Sequence, residues 1–87
     1  MEKILEIKNP SGLHARPSGL LSKTASSYKS DVKLSFNGKT VSAKSIMTVL
    51  ALGLKQGNEV TLTVSGEDEK EAFDALVALF ESGFGEM

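Results

Sequence analysis

The sequence predicts an α+β fold with the element order β-α-β-β-α-β-α. Some stretches alternate apolar and polar residues, which is typical of strands with one buried face, whereas others space apolar residues three or four apart, as amphipathic helices do. The dipeptide Asn37-Gly38 joins two alternating stretches and indicates a two-residue hairpin turn. Because strands and helices are each apolar on one side only, we expect two layers, with helices on one face of a largely antiparallel sheet.

Four strands are predicted from the alternating stretches. The first carries Leu5 and Ile7 and ends at the turn-forming run from Asn9 to Gly12 (NPSG). The apolar positions of the other three strands are Val32, Leu34 and Phe36, then Val41 and Ala43, then Val60, Leu62 and Val64. Polar residues separate the members of each set, so one face of the sheet should be buried.

Three helices are predicted between and after these strands. The first begins just after His14, because Pro17 fits only in a first helical turn, where its missing N–H costs nothing. The second is a short helix from Ile46 to about Leu52, with Ser45 as its N-cap and Gly53 at its end. The apolar face of the first helix is predicted to contain Pro17, Leu20, Leu21, Thr24, Ala25 and Tyr28.

The third helix is long and amphipathic. Asp68 and Glu71 have the spacing of a capping box at its start. Its apolar positions follow at helical spacing and are Ala72, Phe73, Leu76, Val77, Phe80 and Phe84. We therefore expect one helix that continues through Phe84.

The composition excludes several classes of protein. The 87 residues suffice for one small domain, residues 1–87, and contain no cysteine, so disulfide scaffolds, thiol catalysis and cysteine-based zinc sites are excluded. Ten basic and eleven acidic residues give a net charge of -1, which argues against direct nucleic-acid binding. The most apolar stretch, residues 46–54, is far shorter than the roughly 20 residues that span a bilayer. We expect a cytoplasmic protein without membrane insertion.

The charge is unevenly distributed along the chain. Residues 1–66 hold nine basic and four acidic side chains, a sum of +5, and residues 67–87 hold one basic and seven acidic side chains, a sum of -6. The simplest interpretation is an acidic, solvated face on the third helix. The alternative is that the more basic body presents a surface to acidic partners.

The single histidine, His14, and the single arginine, Arg16, form the first candidate site. Both lie at the start of the first predicted helix, where unpaired N–H groups and the positive end of the helix dipole favour a bound anion. Arg16 adds a permanent cation that can hold a phosphate through two N–H groups. A neutral imidazole beside an anion site has the chemistry needed to accept a phosphoryl group.

Other chemistries fit His14 less well. No acidic residue near it in sequence would complete a catalytic triad, because Glu6 and Asp31 belong to other segments. One histidine without cysteines cannot supply a zinc site. Gly12 belongs to neither a Walker-type loop nor a dinucleotide-binding fingerprint. We therefore expect no metal and no cofactor, and His14 would act as a nucleophile and carrier.

Ser45 forms the second candidate site. As an N-cap it should stabilise the short helix by roughly 1 kcal/mol. A hydroxyl at a helix start can also be phosphorylated without breaking the helix, because the added charge meets the positive end of the dipole. Beside it, the apolar residues Ile46, Met47, Val49 and Leu50 outnumber what one face of a short helix requires, so we expect some of them to be exposed. We assign these four residues, together with Leu20, to a partner-binding surface.

Two segments resemble a known family. The run from Gly12 to Pro17 (GLHARP) resembles the active-site motif of HPr, the histidine-containing phosphocarrier of the bacterial sugar phosphotransferase system. The run from Lys44 to Met47 (KSIM) resembles the regulatory serine segment of HPr proteins from Gram-positive bacteria. The resemblance covers essentially the whole chain, and it implies an open-faced β-sandwich with four antiparallel strands and three helices on one side.

The resemblance also implies a function. His14 would take a phosphoryl group on Nδ1 from phosphorylated enzyme I, which uses phosphoenolpyruvate, and pass it to enzyme IIA components for sugar uptake. Arg16 would stabilise the phosphoryl group, with Ser11 and the first helical amides as helpers. Ser45 would be phosphorylated by HPr kinase/phosphorylase, and the phosphorylated form would bind a catabolite-control transcription factor. Such a carrier is not an enzyme, and we expect it to be a monomer.

Ser18 departs from the family pattern, because alanine usually follows the Arg-Pro pair. We expect the small serine to be tolerated and to be able to donate to a phosphate.

Two alternative functions remain open. One is a regulatory module like the paralogue Crh, which keeps the regulatory serine but lacks the histidine; such a module would work mainly through Ser45. The other is a structural or adaptor domain in which His14 and Ser45 serve only as local caps.

Overall fold

Four strands of the computed structural model form one antiparallel sheet, and the structure describes residues 1–86 of the chain. The strands, β1 to β4 in chain order, span Glu2–Glu6, Asp31–Phe36, Lys39–Ser42 and Glu59–Ser65. Their order across the sheet is β1-β4-β2-β3. The first strand therefore lies at an edge, and the two central strands come from distant parts of the sequence.

Three helices cover one face of the sheet, as an open-faced sandwich requires. Helices α1, α2 and α3 span Ala15–Ser26, Ile46–Ala51 and Glu69–Glu81, and a short 3-10 helix follows at Gly83–Gly85. The predicted fold class and element order are confirmed. The core between the two layers includes the fully buried side chains Leu21, Val32, Leu34, Val49, Val60, Leu62, Val64, Leu76 and Phe80.

The hairpin between β2 and β3 has the predicted turn. Asn37 and Gly38 both adopt left-handed backbone conformations, with φ of 53° and 80°. This pair of positive φ values belongs to the turn whose twist matches that of two antiparallel strands. Phe36 and Lys39 are consequently paired across the turn.

The buried face of α1 differs from the predicted one. Leu20 is exposed, whereas Ser18 and Ser22 are buried. Their hydroxyls donate to the carbonyls of Leu13 and Lys44, at 3.0 and 2.8 Å, so their burial leaves no donor unpaired. Hydrophobicity alone could not predict which face of α1 is buried, because burial of the two serines depends on acceptors outside the helix.

The third helix also differs from its prediction at both ends. The Asp68 side chain makes no capping hydrogen bond, and α3 ends at Glu81 instead of continuing through Phe84. Phe84 has a left-handed backbone conformation, with a φ of 56°, and so do the glycines on either side of it. Its ring packs edge-on against the ring of Phe80, with 4.9 Å between the ring centroids. Burial of the ring offsets the cost of the left-handed backbone, and the turn redirects the chain after α3.

Asp68 ties the start of α3 to the loop between α1 and β2. Its carboxylate accepts hydrogen bonds from the backbone N–H of Lys29 and from both the N–H and the hydroxyl of Ser30, at 2.6–2.9 Å. The Ser30 hydroxyl and the Lys29 amide are the main causes that lower the pKa of Asp68 to about 2. Each of these donors favours the ionised carboxylate.

Replacing Asp68 with asparagine should lower the melting temperature by several degrees at neutral pH, with a smaller effect in acid. Because folding lowers the pKa of Asp68, its ionised form stabilises the protein above about pH 4, and this stabilisation is lost as the pH falls toward about 2. Thermal unfolding followed by circular dichroism at several pH values measures the difference. Asp74→Asn is the control, because among residues 1–86 Asp74 pairs only with exposed Lys70. Equal effects of both substitutions at every pH would contradict the role of Asp68.

Candidate functional site

The loop between β1 and α1 is held by a turn and by a contact with a distant segment. Gly12 N–H donates to the Asn9 carbonyl at 3.0 Å, and the buried Asn9 side chain donates back to the Gly12 carbonyl at 2.6 Å. Leu13 N–H then donates to the Leu54 carbonyl at 3.0 Å. These bonds fix the backbone immediately before His14.

Gly12 is required at its position for two reasons. Its φ of 66° lies in the left-handed region, where a side chain is strained. A Cβ atom there would also lie 2.5 Å from the Leu54 carbonyl oxygen and 2.9 Å from Lys55 Cα. The loop can approach the segment after α2 closely only because residue 12 has no side chain.

His14 is the N-cap residue of α1, as the sequence predicts. Its backbone is extended, its carbonyl accepts the first helical hydrogen bond from Ser18 N–H at 3.0 Å, and its side chain makes no capping hydrogen bond. The ring is therefore free of the role that an N-cap side chain usually has. With 44% of the side chain exposed, the ring is accessible to a partner.

The first turn of α1 offers donors to an anion. Within residues 1–86, the N–H groups of Ala15 and Arg16 have no hydrogen-bond acceptor, and the first turn contains no acidic side chain. Arg16 is exposed and forms no salt bridge with another described residue. The structure thus places a cation and two free amides next to His14.

Ser11 and Ser18 have different positions relative to this site. Ser11 is exposed on the turn before Gly12, so a phosphate contact from its hydroxyl stays a prediction. Ser18 is fully buried, and its hydroxyl donates to the Leu13 carbonyl. The expectation that Ser18 could donate to a phosphate is therefore wrong, because this hydroxyl instead fastens the helix to the loop.

Glu86 is the residue at this site that sequence reasoning missed. Its Oε2 atom lies 2.9 Å from His14 Nε2, and its Oε1 atom accepts a hydrogen bond from Asn9 Nδ2 at 3.0 Å. No acidic residue is near His14 along the sequence, but Glu86 lies beside it in the folded chain. The left-handed turn at Phe84 brings this carboxylate back to the loop.

The environment of Glu86 favours its ionised form. The Asn9 hydrogen bond is the largest cause that lowers the pKa of Glu86, and contact with His14 and the charge of Arg16 lower it further against the opposing effect of desolvation. The group beside the ring nitrogen is therefore a carboxylate anion at neutral pH. An anion can only accept the hydrogen bond from His14.

Ser45 is the N-cap of α2, as predicted. Its hydroxyl accepts a hydrogen bond from Thr48 N–H at 3.4 Å, and it is half-buried. The Ser22–Lys44 hydrogen bond joins α1 to the residue immediately before Ser45. The helices that carry the two candidate sites are therefore neighbours in the helical layer.

The apolar surface predicted around α2 is present in part. Met47 is 75% exposed and Ile46 44%, and Leu50 and the α1 residue Leu20 are exposed as well. Val49, in contrast, is completely buried in the core, so its assignment to a partner-binding surface is wrong. A short helix must still anchor itself to the sheet, and Val49 is the residue of α2 that does so. We call Leu20, Ile46, Met47 and Leu50 the exposed apolar group.

Two further properties of the described residues bear on function. No group of three or more His, Asp or Glu side chains between residues 1 and 86 is placed to hold a metal ion. None of the helices in this part of the chain is long and apolar enough to cross a membrane.

Comparison with known proteins identifies the class to which this fold and site belong. The family model described as "PTS HPr component phosphorylation site" matches residues 1–82. The protein is therefore a phosphoryl-carrying component of the sugar phosphotransferase system. More particularly, the chain belongs to the HPr phosphocarrier family, as the sequence resemblance indicated.

Three relatives illustrate the similarity. The chain is 48% identical to the phosphocarrier protein HPr of Cupriavidus necator, over 99% of this chain and 97% of that protein. A crystal structure of HPr from Thermoanaerobacter tengcongensis superimposes with a TM-score of 0.96 at 50% identity, covering 100% of this chain and 98% of that one. The HPr-like protein Crh of Halalkalibacterium halodurans is 41% identical over 93% of this chain and 96% of that protein.

Proposed function

We propose that His14 accepts a phosphoryl group from phosphorylated enzyme I and passes it to enzyme IIA components for sugar uptake. The observation that carries this proposal is the exposed ring of His14, which makes no capping bond and lies at the same helix start as Arg16. Within residues 1–86, Arg16 forms no salt bridge, and the N–H groups of Ala15 and Arg16 have no acceptor. A nucleophile that is not used in capping and lies next to anion donors suits a transient phosphoryl acceptor. The alternative of local caps does not explain why this ring makes no capping bond.

The transfer needs little covalent chemistry from the carrier. A lone pair of the His14 ring forms a bond to phosphorus, while the bond from phosphorus to the donor atom breaks and its electron pair stays with the donor. Negative charge on the transferred group is met by Arg16 and by the N–H groups of Ala15 and Arg16. Each step is stoichiometric, so the protein acts as a carrier between two partners.

The exposed apolar group supplies a docking surface for both partners. Its members lie on α1 and α2, the helices that also carry His14 and Ser45 at their N-caps. A partner that covers Met47 and Ile46 would remove apolar area from water and bring its own site close to His14. The proposal is tested by intact mass and acid lability after incubation with enzyme I and phosphoenolpyruvate, since phosphate on an imidazole nitrogen is lost in acid.

We further propose that Ser45 is a regulatory phosphorylation site for HPr kinase/phosphorylase and that its phosphorylated form binds a catabolite-control transcription factor. A phosphate on Ser45 would add about two negative charges beside Ile46 and Met47. Partners that desolvate these side chains would lose affinity, whereas a basic regulator would gain it. The exposed His14 ring favours a carrier over a Crh-like module that works through Ser45 alone.

Replacing Ser45 with aspartate should slow phosphoryl transfer to His14 by about tenfold, because the charge interferes with docking at the apolar group. Initial rates with enzyme I and phosphoenolpyruvate measure the effect. Ser45→Asn is the matched control, because asparagine and aspartate are comparable N-caps and differ mainly in charge. Equal rates for the two variants would show that charge at residue 45 does not reach the transfer surface.

A further inference from the structure

Glu86 is held against the His14 ring by two separate contacts. Its Oε2 lies 2.9 Å from His14 Nε2, and its Oε1 accepts from Asn9 Nδ2 at 3.0 Å. Asn9 is itself completely buried and fixed by its 2.6 Å bond to the Gly12 carbonyl. The carboxylate therefore has a defined orientation, although His14 is nearly half exposed.

The contact selects one tautomer of the ring. A neutral imidazole carries one N–H, and its other nitrogen has the free lone pair. The Glu86 carboxylate is only an acceptor, so Nε2 must be the nitrogen that carries the hydrogen. The lone pair then lies on Nδ1, which faces away from Glu86.

We propose that Glu86 is a positioning residue that keeps the proton on Nε2 of His14 and so makes Nδ1 the nucleophile. This inference rests on the proposed function, because it concerns which nitrogen accepts the phosphoryl group. Glu86 does not contact the transferred group and acts only through the ring.

The same contact accounts for the proton throughout a transfer cycle. When the Nδ1 lone pair forms the bond to phosphorus, the Nε2 proton stays in place and the ring becomes cationic. Glu86 then faces that cation at hydrogen-bond distance and stabilises it. When the phosphoryl group leaves, the electron pair of the N–P bond returns to Nδ1 and the ring is neutral again. No proton has to be exchanged with solvent in either direction.

Nuclear magnetic resonance of the ¹⁵N-labelled His14 ring tests the inference without any phosphoryl donor. With the ring in its neutral form, the unmodified protein should show predominantly the Nε2–H tautomer. In Glu86→Ala the share of the Nδ1–H tautomer relative to Nε2–H should rise about threefold to tenfold, as expected for loss of a partly exposed hydrogen bond to a charged group. Glu81→Gln is the control, because Glu81 pairs with Lys3 and not with His14.

Transfer rates provide a second measurement. Glu86→Ala and Glu86→Gln should both accept phosphate more slowly from enzyme I, because glutamine has one acceptor oxygen for the two donors that Glu86 serves. An unchanged tautomer ratio in Glu86→Ala would overturn the inference, and so would faster acceptance, which would instead make Glu86 an anion that competes with phosphate. If no variant and not even the unmodified protein accepts phosphate, the proposed function fails, whereas the tautomer measurement still decides the role of Glu86.

Discussion

The His14→Ala variant is expected to accept no phosphoryl group from enzyme I and phosphoenolpyruvate. His14 is the only histidine of the chain, and no cysteine is present to replace it as a nucleophile. Arg16 and the free amides of α1 would remain, but they can only bind an anion and cannot form a bond to phosphorus. Intact mass under non-acidic conditions measures the loss, which should be complete.

The fold of this variant should be preserved, so that the loss can be assigned to chemistry. The His14 ring makes no capping hydrogen bond, and the backbone carbonyl that accepts from Ser18 is kept in alanine. We expect the free energy of unfolding to change by less than about 1 kcal/mol. Acid-labile phosphate on a folded His14→Ala protein would refute the assignment of the acceptor.

The second large effect is expected for Gly12→Ala, which should destabilise the protein by about 2–5 kcal/mol. Part of the cost is the left-handed backbone at φ 66°, and the rest is the collision of the new Cβ with the backbone of Leu54 and Lys55. To relieve the collision the loop must move away from Leu54, which would break the bond between Leu13 N–H and the Leu54 carbonyl. Chemical denaturation measures the change in stability.

Gly53→Ala separates the two contributions. Gly53 has nearly the same φ, 63°, but a Cβ atom there would have no neighbour within 4 Å. Its substitution should cost about 1–2 kcal/mol, the strain of the left-handed conformation alone. If the two substitutions lowered the free energy of unfolding equally, the close approach of the loop to Leu54 would not contribute to the cost of Gly12→Ala. We also expect phosphoryl acceptance to decrease in Gly12→Ala and to be unaffected in Gly53→Ala.

Much of this architecture could be predicted because it depends on local patterns. Alternation defined the four strands, the dipeptide Asn37-Gly38 defined the hairpin, and Pro17 located the start of α1 next to His14. The capping role of Ser45 is equally local, because the Ser45 hydroxyl accepts its hydrogen bond from Thr48, only three residues further along the chain. These features need no knowledge of how distant segments pack.

The errors share a different physical origin. Leu20 lies outside the buried face of α1, and Ser18 is not available to a phosphate, because the buried hydroxyls of Ser18 and Ser22 find acceptors outside the helix. The sequence could not place Val49 in the core, because an apolar run on a short helix does not reveal which residue anchors the helix to the sheet. The approach of Glu86 to His14 could not be predicted, because it depends on the left-handed backbone of Phe84. An aromatic residue in the sequence does not indicate such a backbone conformation.

The strand order has a consequence for how the protein folds. The hairpin of β2 and β3 needs only neighbouring residues, whereas β1 must find β4, with Glu2 opposite Thr63. Pairings between distant residues close large loops and therefore tend to form late. The loop that carries His14 follows β1 and is fastened to Leu54, before β4, so we expect the proposed acceptor site to be completed only after most of the sheet has assembled. A partly folded chain would then lack the proposed acceptor site and could not take a phosphoryl group from a donor.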